Sequence, residues 1–135
     1  ANFFKQRGHR VLGFIPDYLL DLNRVGERKR MAKVGLGDVR ASQVPDDVLL
    51  LQQLCAEGTL IGTPPQDYDD SYCIRYAQSH DGLVVTNDMY RDHVKGQATR
   101  EDREREKEWT NTHLVSYTWV QDEFLPNPER YPTRN

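Results

Sequence analysis

A chain of 135 residues holds one domain's worth of core, and 37% apolar with 29% charged residues is the make-up of a globular domain with a well-charged surface. The net charge of −3, from 18 Lys+Arg against 21 Asp+Glu, excludes an overall basic coat but leaves room for a local basic stripe. No apolar run approaches the ~18 residues of a membrane span, and no signal-peptide pattern opens the chain.

Residues 1–7 read as the later part of a helix that Gly8 ends, so the chain is expected to continue upstream of Ala1. Val11 to Ile15 is a short apolar run stopped by Pro16, the pattern of a buried strand. Residues 20–43 hold Gly26, Gly35, Gly37 and the basic cluster Arg28, Lys29, Arg30 and Lys33, and read as a long basic loop. That cluster is either a solvated face or an arm that contacts phosphate, with nothing in the spacing to choose.

Pro45 is read as opening the next helix, with Val48, Leu51, Gln52 and Cys55 on one face, Leu50 and Leu54 widening it, and Gly58 ending it. Leu60 to Thr63 is a second strand, closed by Pro64-Pro65. A helix from Asp69 or Asp70 to about Ser79 carries Cys73, Ile74 and Ala77 inward. Gly82 to Thr86 is the third strand, and residues 99–112 form a charged helix with mixed signs at i,i+4. Leu114 to Trp119 is a fourth strand, with Tyr117, Trp119 and Phe124 read mainly as core packing. The tail from Pro126 is expected to be extended and mobile. Short strands alternating with helices predict an α/β fold with a mostly parallel sheet of at least four strands, covered on both faces.

Ligands of such sheets bind outside the carboxyl ends of the strands, and the acids collect there. Asp69 and Asp70 open a helix after a strand and a proline turn, and Asp88 follows the third strand after Thr86 and Asn87. If a helical turn begins at Asn87, Asp88 and Asp92 share a face. Each acid alone reads as a helix cap or a solvated carboxylate. Together, carboxylates at one edge repel, and a hard cation with oxygen ligands, Mg²⁺ or Mn²⁺, offsets that repulsion. Such an ion activates water and neutralises charge on a phosphate. Thr86 and Asn87 are neutral neighbours able to hold a water or a phosphate oxygen. His9, His80, His93 and His113 show no ligand spacing and are assigned structural or surface roles. Cys55 and Cys73 have none either, so reduced thiols in a cytoplasmic setting are the expectation. No P-loop, G-x-S-x-G, CxxC or G-x-G-x-x-G occurs.

The run Tyr68-Asp69-Asp70 … Ile74 … Ala77 … Asp81-Gly82-Leu83-Val84-Val85-Thr86-Asn87-Asp88-Met89-Tyr90-Arg91-Asp92 closely resembles the NYN/PIN-like ribonuclease domain of the Regnase (MCPIP) family. Thinner similarity covers Arg7-Gly8-His9, Gly58 to Pro64 and Tyr117 to Leu125. The resemblance implies a PIN-like three-layer α/β/α domain over residues 1–125 and a metal-dependent endoribonuclease acting on single-stranded or loop RNA in decay or silencing. By position, Asp69, Asp70 and Asp88 would form the acidic, Mg²⁺-holding cluster. Asp92 would orient water, and Asn87, Thr86 and Arg91 would support the site. Arg28, Lys29, Arg30 and Lys33 would meet RNA.

Three departures stand out. The family's first strand, ending in Asp-Gly-x-Asn, would precede Ala1. The basic hairpin before the Asp pair is cut to Pro65-Gln66-Asp67, and the CCCH zinc finger is missing from this chain. These favour a competing reading, a catalytically weak scaffold that binds RNA or pairs with a second NYN protein as a homo- or heterodimer. A phospho-receiver domain would need a lysine at another strand end, and none suits.

Overall fold

A computed structural model of the chain describes residues 1–34, 45–64 and 69–131; the side chains at positions 28, 31, 32, 34, 69 and 70 lie outside that description. The chain falls into two compact units, Ala1–Tyr72 and Cys73–Asn135.

In the first unit, α1 (Asn2–Lys5) ends in a turn closed by Gly8 at φ 84°, a left-handed conformation that glycine adopts without a Cβ clash. Strand β1 (Gly13–Pro16) is followed at once by a 3-10 turn (Asp17–Leu20), then α2 (Leu22–Val34), α3 (Val48–Ala56) and β2 (Leu60–Thr63). The two strands pair in parallel, Gly13 with Leu60 through Pro16 with Thr63. Pro16 therefore closes the strand from inside it rather than stopping it from outside, which a terminal residue can do because its missing N–H breaks no interior ladder.

The long loop expected over residues 20–43 is instead helical from Leu22 to Val34; positions 35–44 lie outside the described residues. The reason is local. Asp21 Oδ1 accepts the N–H groups of Asn23 (2.9 Å) and Arg24 (3.2 Å), capping the first turn, and residues 27–33 are mostly strong helix formers that outweigh Gly26. Val25, 2% exposed, anchors the helix. Helix α3 begins after Asp47, whose side chain accepts Leu50 N at 2.9 Å, so an aspartate cap and not Pro45 sets its start. Val48 is buried as expected, whereas Leu50 is half exposed. Gly58, at φ 80°, ends the turn that feeds β2.

Helix α4 (Asp69–Ser79) begins in the first unit and ends in the second. There follow β3 (Val84–Val85), α5 (Arg91–Lys95), α6 (Arg100–His113), β4 (Leu114–Val115), β5 (Tyr117–Val120) and β6 (Glu123–Pro126). Strands β3 and β4 pair in parallel, and β5 and β6 form an antiparallel hairpin. The α/β class with parallel strands is thus as expected, with one parallel pair in each unit. The single fourth strand expected over 114–119 is broken at Ser116, whose carbonyl and hydroxyl are taken by the N–H and side-chain amide of Asn127 (2.7 and 3.1 Å). Those bonds, with the N–H groups of Arg130 and Tyr131 on Asn127 O, fold residues 127–131 into a turn rather than the expected extended tail; residues 132–135 lie outside the description.

The second unit's core is Ile74, Ala77, Val84 and Tyr90, with Cys73, Trp109 and Leu114 against it. Helix α6 is capped by Thr99, which accepts Asp102 N at 3.0 Å. Its Glu106 receives Gln78 Nε2 (2.8 Å) and meets His93 Nε2 (2.9 Å), joining α4 and α5 to α6.

Candidate functional site

Val84 and Val85 are held by β4, and Thr86 N donates to Val115 O at 2.9 Å, one step past the β3–β4 pairing. That fixes where the chain leaves the carboxyl end of β3. The next three residues are governed by side-chain bonds. Thr86 Oγ1 accepts Asp88 N at 3.0 Å, and Asp88 Oδ1 accepts Tyr90 N at 2.8 Å. Such short-range bonds compete with helix formation, and here they win. Tyr90 sits in the left-handed region at φ 52°, and α5 starts only at Arg91. The helical turn expected from Asn87 is therefore absent, and Asp88 and Asp92 share no helical face.

The turn places Asp88 in solvent at the strand end while Tyr90, 7% exposed, is sunk in the core with Ile74, Ala77 and Val84. A buried ring thus anchors the N–H that fixes one carboxylate oxygen of Asp88. A left-handed tyrosine carries a strain cost of order 1 kcal/mol, which its packing offsets. Asn87 has a use the sequence did not suggest: its Oδ1 accepts Tyr117 N at 2.9 Å, tethering the start of β5 to the end of β3. Arg91 is exposed, its Nη2 3.5 Å from Met89 Sδ. Asp92 lies in the first turn of α5, exposed.

Asp69 and Asp70 are the first two residues of α4. Their side chains lie outside the described residues; further along the same helix Ile74 and Ala77 are 1% and 6% exposed. In the basic cluster, Lys29, Arg30 and Lys33 are exposed on α2, with Lys33 four and three residues from the other two and so beside them on the helix.

Two residues were missed. Tyr90 stood only as a position of the family motif, and its left-handed backbone and its N–H on Asp88 Oδ1 show what it does. Asp17 follows β1 immediately, where Asp88 follows β3 after two intervening residues, and its carboxylate lies so close to Gly62 that no Cβ would fit there. Its signal, an acid immediately after a strand, was legible. Among the described residues no group of three or more His, Cys, Asp or Glu side chains is placed to hold a metal ion.

An acid fixed just beyond the carboxyl end of a parallel strand stands where ligands of α/β sheets bind. The match that gives this a name covers residues 1–135: the chain belongs to the Zc3h12a-like Ribonuclease NYN domain family. It is 31% identical over 134 residues to "Endoribonuclease rege-1" of Caenorhabditis elegans, covering 93% of this chain and 17% of that protein. The chain therefore spans about one-sixth of that relative's length. Among solved structures it is similar to nuclear proteinaceous RNase P 2 (PRORP2) of Arabidopsis thaliana. One structure gives 30% identity, 73% of this chain, 19% of that chain and a TM-score of 0.48. A second gives 19%, 90%, 30% and 0.44.

Proposed function

We propose that this domain is a metal-dependent endoribonuclease that hydrolyses phosphodiester bonds of single-stranded or loop RNA. The observation that carries the reading is Asp88, fixed by Tyr90 N at the end of β3, in a chain that belongs to a ribonuclease NYN family. Asp69 and Asp70 join it by their place in the family motif.

The donor set fits a hard divalent cation, because it offers carboxylate oxygens and no thiol or imidazole. Asp88, Asp70 and Asp69 would hold Mg²⁺, with Mn²⁺ as a substitute, and the ion would supply charge neutralisation and an acidified water. With Oδ1 committed to Tyr90 N, Asp88 keeps Oδ2 for this work. Asp92, exposed in the first turn of α5, is assigned to orienting water. Thr86 holds the Asp88 backbone, Asn87 holds β5 in place, and Arg91 is available to a phosphate. Lys29, Arg30 and Lys33, exposed on α2, with Arg28 beside them in sequence, would meet the RNA backbone, and the setting is cytoplasmic RNA decay or silencing.

The test is a labelled single-stranded RNA incubated with the chain and Mg²⁺ or Mn²⁺, with EDTA and Asp70→Asn as controls. Cleavage abolished by both is expected. Cleavage that persists with EDTA and in Asp70→Asn overturns the mechanism. The reduction to Pro65-Gln66-Asp67 where the family carries a basic hairpin favours a second reading as a weakly catalytic scaffold that binds RNA or another NYN protein. RNA or partner binding without cleavage under any metal condition would select it.

A further inference from the structure

We infer that the aromatic face of the β5–β6 hairpin is a stacking platform for an unpaired nucleobase, with the Trp119 indole as its exposed surface. The inference rests on the ribonuclease reading above and specifies how that RNA is gripped.

The hairpin register pairs Tyr117 with Pro126 and Trp119 with Phe124, so these four residues share one face, while Thr118, Val120, Glu123 and Leu125 share the other. On the first face Phe124 lies between two rings, 5.4 Å from Tyr117 and 5.3 Å from Trp119, the latter edge-to-face. Tyr117 and Phe124 are half-buried and Pro126 is buried, but Trp119 is 59% exposed. Core packing, the sequence expectation, thus holds for the base of the hairpin and fails for Trp119. A large ring held from behind by Phe124 and open to water has a prepaid orientation and an unused π-face.

Three observations select the occupant. First, Asn87 tethers Tyr117 N to the residue preceding Asp88, so the platform begins beside the acid assigned to the phosphate. Trp119 lies two strand residues further, about 7 Å along, a distance that a few nucleotides of chain cover. Second, that face carries no charge: Glu123 points to the opposite face and Asp122 lies in the turn, so no carboxylate there opposes an RNA backbone. Third, the size fits. An indole covers about 150–250 Å², whereas a stable protein interface needs about 800 Å² on each side. One exposed ring matches one base. Stacking also tolerates any base, which suits single-stranded RNA and leaves duplex, whose bases are already stacked, excluded.

The experiment measures anisotropy of fluorescein-labelled hexauridylate with the chain in EDTA, and kcat and KM for a longer single-stranded RNA in Mg²⁺. Trp119→Ala and Trp119→Leu are expected to weaken binding about 5- to 100-fold, while Trp119→Phe keeps most of the affinity. The loss should appear in KM, with kcat within about twofold in all three. The leucine variant keeps an apolar side chain against Phe124, so a loss there reports the missing ring and not a collapsed hairpin. A hexamer with abasic positions should bind the wild type and Trp119→Leu alike. Wild-type affinity in Trp119→Leu overturns the platform, whether or not the RNA is cut. So does a variant that keeps RNA affinity but shifts from dimer to monomer on gel filtration, which would make a second copy the occupant. Ring-dependent binding without cleavage upholds the platform and sinks the nuclease reading; cleavage indifferent to Trp119 does the reverse.

Discussion

The turn Thr86–Tyr90 and helix α2 are both built from side-chain bonds to backbone N–H groups, yet they differ in what those bonds achieve. In α2 the Asp21 carboxylate starts a regular element, after which helix propensity carries the chain for 13 residues. In the turn, Thr86 and Asp88 use the same kind of bond to prevent a helix, and the turn ends on a Tyr90 whose ring is buried. A cap needs its own turn and little else. A turn that presents an acid needs a core behind it.

The largest expected effect separates presentation from chemistry at Asp88. Asp88→Asn keeps an oxygen for Tyr90 N, so thermal stability should stay close to wild type while RNA cleavage falls about 10³-fold, the several kcal/mol a metal-held charge supplies. Asp88→Ala should lose activity equally and cost a further ~1 kcal/mol of stability, because the turn's acceptor is gone. Equal melting temperatures for the two variants would show that the Asp88–Tyr90 bond does not support the turn. Next is Tyr90→Ala, expected to cost about 3 kcal/mol in denaturant unfolding by emptying the core among Ile74, Ala77 and Val84.

The helix should respond less. Asp21→Ala removes the acceptor of two N–H groups and should cost about 1 kcal/mol, read as lower helicity and a lower denaturation midpoint. Smallest, and opposite in sign, is Gly26→Ala. A Cβ at Gly26 meets nothing within 4 Å, so a gain of about 0.5–1 kcal/mol is expected. A destabilised Gly26→Ala would mean that something covers this face of α2 in solution.

Much of this was legible in the chain. Gly8 and Gly58 marked ends of local structure, the apolar runs marked β1, β2 and β3, and the charged helix over 99–112 was placed within a residue. These are signals of short range, in which the residue that causes the feature sits next to it. The acidic motif was also plain, and its spacing sufficed for the family that the match over residues 1–135 bears out.

The errors are of two kinds. Residues 22–34 looked like loop because glycines and basic residues were weighed above the Asp21 cap, a misjudged local signal. Trp119 looked like core but is exposed, and 114–119 looked like one strand but is broken where Ser116 binds Asn127. Asn87 is bound to a residue thirty positions away, and Ser116 to Asn127. The sequence by itself determined which residue types stand at strand ends, hence the acids and the family. Only the tertiary structure decided how Asp88 is held, because the left-handed tyrosine whose N–H fixes it packs its ring into a core drawn from α4 and β3.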